Sequence, residues 1–144
     1  MRVPKKKPKK TFEIRFYEQL VSREPNFIEA LSCLGDAYTK TGLFREGLDV
    51  DLRLTKLKPN DPIIYYNLAC SYSLLGELDA SFEALKKAIL LGYDDFSYLF
   101  KDKDLDNLRG DVRFEKLMFK IRRRFSNIKA KRPALEKKPL PEIQ

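Results

Sequence analysis

The sequence predicts an all-α chain, a stack of helix pairs with a capping helix at its C-terminal end. Three observations carry that prediction. Residues 26–93 repeat themselves at a distance of 34 positions, pairing Leu31 with Tyr65, Leu34 with Leu68, Gly35 with Ala69, Tyr38 with Tyr72 and Gly42 with Gly76. A fixed period of this length belongs to repeats in which one helix–turn–helix stacks on the next. Large apolar residues recur at helical spacing (Leu31, Leu34, Tyr38; Tyr65, Leu68, Tyr72) and draw one apolar stripe along each first helix. Gly42 and Gly76 stand where that helix must stop, because glycine takes the left-handed conformation at a helix end without steric cost.

Each element can be justified in turn. The register runs backwards from Pro59 to Pro25 and from Leu54 to Leu20, so residues 11–25 read as the second half of a repeat whose first helix is absent. Phe12, Phe16, Leu20 and Val21 are its expected apolar face. Residues 26–60 and 61–93 are the two full repeats, with small residues (Gly35, Ala69, Gly47, Ser81, Ala88) where two helices approach closely. Pro59, followed by Asn60-Asp61-Pro62, closes one second helix and opens the next first helix. Beyond Tyr93, which stands where Pro59 would recur, the repeat weakens into a segment spanning 94–127. A short helix, a turn and a final helix of about 15 residues after Asp111 are expected there. Phe114, Leu117, Met118, Ile121 and Phe125 give the final helix an apolar stripe suited to covering the end of the stack.

The stretches Leu34-Gly35-Asp36-Ala37-Tyr38 and Asn67-Leu68-Ala69-Cys70-Ser71-Tyr72 resemble the first helix of the tetratricopeptide repeat family. The small residue early in each second helix and the closing Pro59 fit the same pattern. The segment Asp94-Asp95-Phe96-Ser97-Tyr98-Leu99-Phe100, with Asp104 to Phe114, resembles the ending found after the last repeat of bacterial repeat proteins. The resemblance implies a right-handed helix–turn–helix solenoid of about two and a half repeats. It also implies a non-catalytic module for protein–protein interaction, an adaptor, scaffold or assembly factor.

In such a stack the first helices line the concave side. The faces left free by the apolar stripes carry Glu29, Ser32, Cys33, Asp36, Thr39 and Lys40 in one repeat, and Ile63, Tyr66, Asn67, Cys70 and Ser73 in the other. The resemblance implies that an extended peptide lies there. A subgroup of the family grips chaperone C-terminal carboxylates with Lys and Asn in these slots. This chain has Ser32 with Asp36 and Tyr66 with Cys70, so that clamp is missing. Glu29 and Asp36 at one end and Tyr66 at the other suit a partner with a basic residue and an apolar anchor.

Charge is unevenly spread. Of the net +8, residues 1–10 (Arg2, Lys5, Lys6, Lys7, Lys9, Lys10) carry +6 and residues 120–144 carry +7, which leaves −5 for residues 11–119. An acidic body is therefore flanked by basic, Pro-containing arms, 1–10 and 128–144, with the composition of disordered tails. Such arms, with Arg122-Arg123-Arg124 on the end of the final helix, are the alternative route to function through nucleic-acid phosphates. They also suit an anionic membrane surface or plain solubility, and either arm can fold back on the acidic body. The apolar face of the half repeat (Phe12, Phe16, Val21) offers a route to self-association.

Other chemistries find little footing. The chain has no His, no Gly-rich phosphate loop and no nucleophile beside an activating partner, so no catalysis and no cofactor are expected. Asp102-Lys103-Asp104-Leu105-Asp106 has the alternating carboxylates of a calcium loop. Asn107 and Arg113 stand where that loop needs Gly and a bidentate Glu, so Asp102, Asp104 and Asp111 read as turn and helix-capping residues. Cys33 and Cys70 read as small core residues of a cytoplasmic protein. No 18-residue apolar run offers a membrane span, and no apolar stretch follows the basic start to make a secretion signal.

Overall fold

The structure, a computed structural model, describes residues 6–131, with side chains described as far as Ser126. Its regular elements are helical: α1 (Phe12–Arg23), α2 (Ile28–Thr41), α3 (Phe44–Leu57), α4 (Pro62–Leu74), α5 (Leu78–Leu90), α6 (Phe96–Lys101), a 3-10 turn (Lys103–Leu105), α7 (Asp106–Arg109) and α8 (Val112–Lys131). The chain divides into two compact units, Met1–Leu108 and Arg109–Gln144.

In the first unit each helix packs on its successor, α1 on α2, α2 on α3, α3 on α4 and α4 on α5. One core runs through Ile14, Val21, Leu31, Leu34, Tyr38, Leu43, Val50, Leu54 and Ile64. Burying each large apolar side chain contributes about 1.5–3 kcal/mol, so the tertiary contacts outweigh the weak propensities of helices this short. The helix ends use local chemistry. Thr11 accepts a hydrogen bond from Ile14 N at 3.2 Å, and Asp61 accepts one from Ile63 N at 2.9 Å with Pro62 at the first helical position. Gly42 and Gly76 take φ of 85° and 74°. There the chain turns back, Leu43 N donating to Tyr38 O and Glu77 N to Tyr72 O, at 2.8 and 2.9 Å.

The small residues do different work in the two repeats. A Cβ on Gly47 would stand 3.2 Å from Thr39 Oγ1, and the Gly35 carbonyl is capped from its own helix by Thr39 Oγ1 at 3.1 Å. One period later Ser81 Oγ reaches across to the Ala69 carbonyl at 2.7 Å, and Ser73, in the slot of Thr39, is left to bond elsewhere.

Three sequence expectations need correction. Phe12 and Phe16 are 85% and 48% exposed; α1 instead buries Ile14 and Val21, with Tyr17 and Leu20 half-buried. Ile14, not the phenylalanines, shares a face with Val21 and Tyr17. The 34-residue period also persists past Tyr93. First helices start at 28, 62 and 96, second helices at 44, 78 and 112, and Gly110 follows Gly42 and Gly76 in register. The third first helix is broken at Asp102, which occupies the slot of Leu34 and Leu68. Its carboxylate accepts from Asp104 N at 3.0 Å and so starts a new turn instead of continuing the helix. Finally, α8 runs 20 residues to Lys131, past the expected boundary at 127. Asp111 caps it, accepting from Arg113 N at 2.8 Å, and Phe125 of its apolar stripe is exposed.

The near part of the N-terminal arm lies on the body. Lys10 pairs with Glu18 at 2.8 Å, Lys7 pairs with Glu46, and the Pro8 ring packs beside Gly42. Glu18 is held further by the Tyr38 hydroxyl at 2.7 Å. Lys6 and Lys9 are exposed, whereas Arg2, Lys5 and the tail 132–144 lie outside the described residues. Among the described residues no helix is long and apolar enough to cross a membrane.

Candidate functional site

A cleft of about 300 Å³ opens in the first unit, lined by Gly35, Asp36, Thr39 and Lys40 of α2, Asp51 of α3, Tyr66, Asn67, Cys70 and Ser71 of α4, and Tyr98, Asp102 and Asp104. The helix pairing explains why these side chains converge. Gly35 lets α3 approach so closely that an added Cβ would meet Val50 Cγ1 at 3.3 Å and Asp51 Oδ1 at 3.5 Å. Asp51 is thereby carried under α2, 7% exposed, where its Oδ2 accepts the Ser71 hydroxyl at 2.5 Å.

The far wall is built by the broken helix. The Tyr66 hydroxyl donates to Asp102 Oδ2 at 2.7 Å, the Cys70 thiol lies 3.6 Å from the same oxygen, and the Tyr66 ring stacks on Tyr93 with centroids 4.2 Å apart. Asn107 Nδ2 donates to the Ser73 carbonyl at 2.8 Å and Leu108 N to the Ser73 hydroxyl at 3.3 Å. Leu99, Leu105 and Leu108 are fully buried behind these bonds. Residues 96–108 thus close one side of the concave face of α4.

Four carboxylates against one ammonium make the cleft acidic, and burial acts on Asp36, Asp51 and Asp104. Asp51 is pushed from 3.8 up to about 7, chiefly by burial; Asp36 adds to the rise and the Ser71 hydrogen bond opposes it. Burial also raises Asp36, against the pull of Lys40, and raises Asp104 with help from Asp102. Tyr66 is held well above its ordinary value by burial and by its bond to Asp102, and the Cys70 thiol is raised chiefly by burial. Neither is an ionised nucleophile at neutral pH.

The predicted groove residues divide. Asp36, Lys40, Tyr66, Asn67 and Cys70 meet in the cleft. Tyr66 and Cys70 are only 3% and 7% exposed, so they are wall, not free anchors. Ser73 is fully buried and committed to Leu108, which removes it from the groove. Ser32 is exposed on α2 outside the cleft lining, and Glu29 borders a separate depression with Glu24, Pro25 and Phe27. Asp51, Ser71, Tyr98, Asp102 and Asp104 are cleft residues that the helical spacing does not announce. A usable signal exists for two of them: Asp51 and Asp102 are acids in slots where the period elsewhere puts Leu85, or Leu34 and Leu68. Cys33 and Cys70 are both free thiols.

Residues 63–91 match the tetratricopeptide repeat. The chain is also 32% identical, over 113 residues and 76% of its length, to a curated chloroplastic protein of Arabidopsis thaliana. It spans about a third of that curated relative, 32% of the relative's length. The tetratricopeptide repeat is a module for protein–protein interaction and is generally non-catalytic.

Proposed function

Because the chain belongs to the tetratricopeptide-repeat family, we propose that it is a non-catalytic adaptor or scaffold that holds a peptide segment of a partner in the acidic cleft. One observation carries this reading: carboxylates from α2, α3 and the broken helix border one cavity with a tyrosine wall. A basic side chain is drawn in by the acids, and an apolar neighbour packs on Tyr98, which is 55% exposed. The relative's name carries the word chloroplastic, which favours a plastid setting over the cytoplasmic one expected from composition.

The test is capture from the native extract with the full chain and with Asp36→Lys, an exposed position whose reversal spares the core. A discrete protein held by the native chain, indifferent to nuclease and lost with Asp36→Lys, is the expected result. Retention by Asp36→Lys would overturn the cleft reading. Recovery abolished by nuclease would favour the nucleic-acid alternative. That alternative has less support, since Lys7 and Lys10 already neutralise Glu46 and Glu18.

A further inference from the structure

The floor of the cleft differs chemically from its rim. Asp51 is more than nine-tenths buried, its Oδ2 is taken by Ser71, and its Oδ1 receives no hydrogen bond from any described residue. No buried side-chain oxygen among the described residues lacks a partner, so Oδ1 is reached from the cleft, where solvent or a ligand's donor serves it. No side chain facing Asp51 donates to Oδ1, which leaves that oxygen open to the cleft. From α2 come Asp36 and Lys40, from α4 Tyr66, Cys70 and Ser71, and from the segment after α5 Tyr98, Asp102 and Asp104. The Lys40 charge acts on Asp36, and the Tyr66 and Cys70 protons point to Asp102.

The open oxygen and the shape of the cleft constrain the ligand group that can donate there. Among the described residues no three Cys, Asp or Glu side chains converge on a point that could hold a metal ion. The carboxylates are spread along the wall, which suits an elongated cation whose stem lies on the exposed Tyr98 ring while its charged end reaches the floor. A guanidinium is best met by two carboxylate oxygens at once, and Ser71 occupies one of them. A single open oxygen suits an ammonium.

Resting on the protein-binding reading above, we propose that the cleft floor selects a lysine side chain of the partner, its ammonium donating to Oδ1 of Asp51 with the Asp36 charge at the rim favouring entry. The raised affinity of Asp51 for protons then makes the proton a competitor. Ammonium binding requires the ionised carboxylate, so affinity rises with pH through about 7.

The experiment titrates the full chain with the peptide acetyl-Ala-Phe-Lys-Ala-amide, following the backbone amides of Gly35, Asp51 and Ser71 by NMR. Parallel peptides carry arginine, acetyl-lysine or norleucine in place of lysine. The expected result is binding of the lysine peptide about tenfold tighter at pH 8 than at pH 6 and about tenfold tighter than norleucine or acetyl-lysine. Arginine should bind more weakly than lysine. Asp51→Asn should abolish the lysine preference and the pH dependence. In case Asp51→Asn repacks the core, the exposed Asp36→Asn should weaken lysine binding about threefold and keep the pH dependence. Equal binding of lysine and norleucine, arginine binding as tightly as lysine, or no response at the three amides would overturn the proposal. So would n-butylamine binding as tightly as the peptide, since that is a free-amine site. If lysine and norleucine bind alike while Asp36→Lys still loses the captured partner, only this inference fails. If the captured partner ignores Asp36→Lys while lysine still binds the floor, only the adaptor reading fails.

Discussion

Asp51 is the residue on which most depends, because a carboxylate has been put where an apolar side chain would pack. In the unfolded chain it titrates near 3.8, and in the fold near 7. Between those values the folded state holds the extra proton, so stability falls as pH rises from about 4 to about 7 and is level above. By linkage the ionised carboxylate costs on the order of 4 kcal/mol at pH 8, an upper figure because solvent enters the cleft. Asp51→Asn should therefore raise the midpoint of urea unfolding at pH 8, flatten this pH dependence and leave stability at pH 4 little changed. An unaltered pH profile in the variant would show that the group titrates normally. At Gly76, φ is 74° and nothing lies within 4 Å of an added Cβ, so Gly76→Ala isolates backbone strain. We expect a loss of about 1 kcal/mol in denaturant unfolding.

At the scale of elements, the broken third first helix is held by polar bonds reaching back to α4. Ser73→Ala removes the acceptor of Leu108 N and should cost about 1–3 kcal/mol. Hydrogen exchange at Leu105 and Leu108 should speed up while exchange in α2 and α3 stays unchanged; equal acceleration throughout would mean the segment is no separate element. The helices α1 to α5 are legible in the sequence because their signals are local: a period, an apolar stripe, Gly42 and Gly76 at the ends, Asp61-Pro62 at a start. The third copy is hidden because Asp102 and Asp106 sit in the slots of Leu68 and Tyr72, so the stripe vanishes although the helix starts keep their spacing. The cleft is legible on α2 and the exposed face of α4, where Asp36, Lys40 and Asn67 remain accessible. Its floor and far wall are not, since Asp51 enters from a second helix and Asp102 from beyond the recognisable repeats. Tyr66, Cys70 and Ser73 escape a reading by spacing for that same reason: a helix covered on an extra side buries residues that helical spacing alone assigns to solvent.

At the scale of the whole molecule, positive charge from the arm meets negative charge on the body, but away from the cleft. Glu18 and Glu46, the partners of Lys10 and Lys7, are absent from the cleft lining. Exposed pairs contribute about 0–1 kcal/mol, and charges beyond about 8 Å are screened at physiological salt. Removing residues 1–10 should accordingly lower the melting temperature by only a few degrees and leave lysine-peptide affinity within about twofold. A tenfold change in that affinity would mean that the arm reaches the cleft. The long bonds of the broken helix also set an order in time. Tyr66 to Asp102, Asn107 to Ser73 and Leu108 to Ser73 span 36, 34 and 35 residues, about one full period each. Neighbouring helices close over much shorter loops, and loop closure governs folding speed. A chain growing from its N-terminus can pair α2 through α5 before Asp102 exists. The cleft lacks its far wall until then, so the order of synthesis lets the helix pairs meet before the cavity between them is closed.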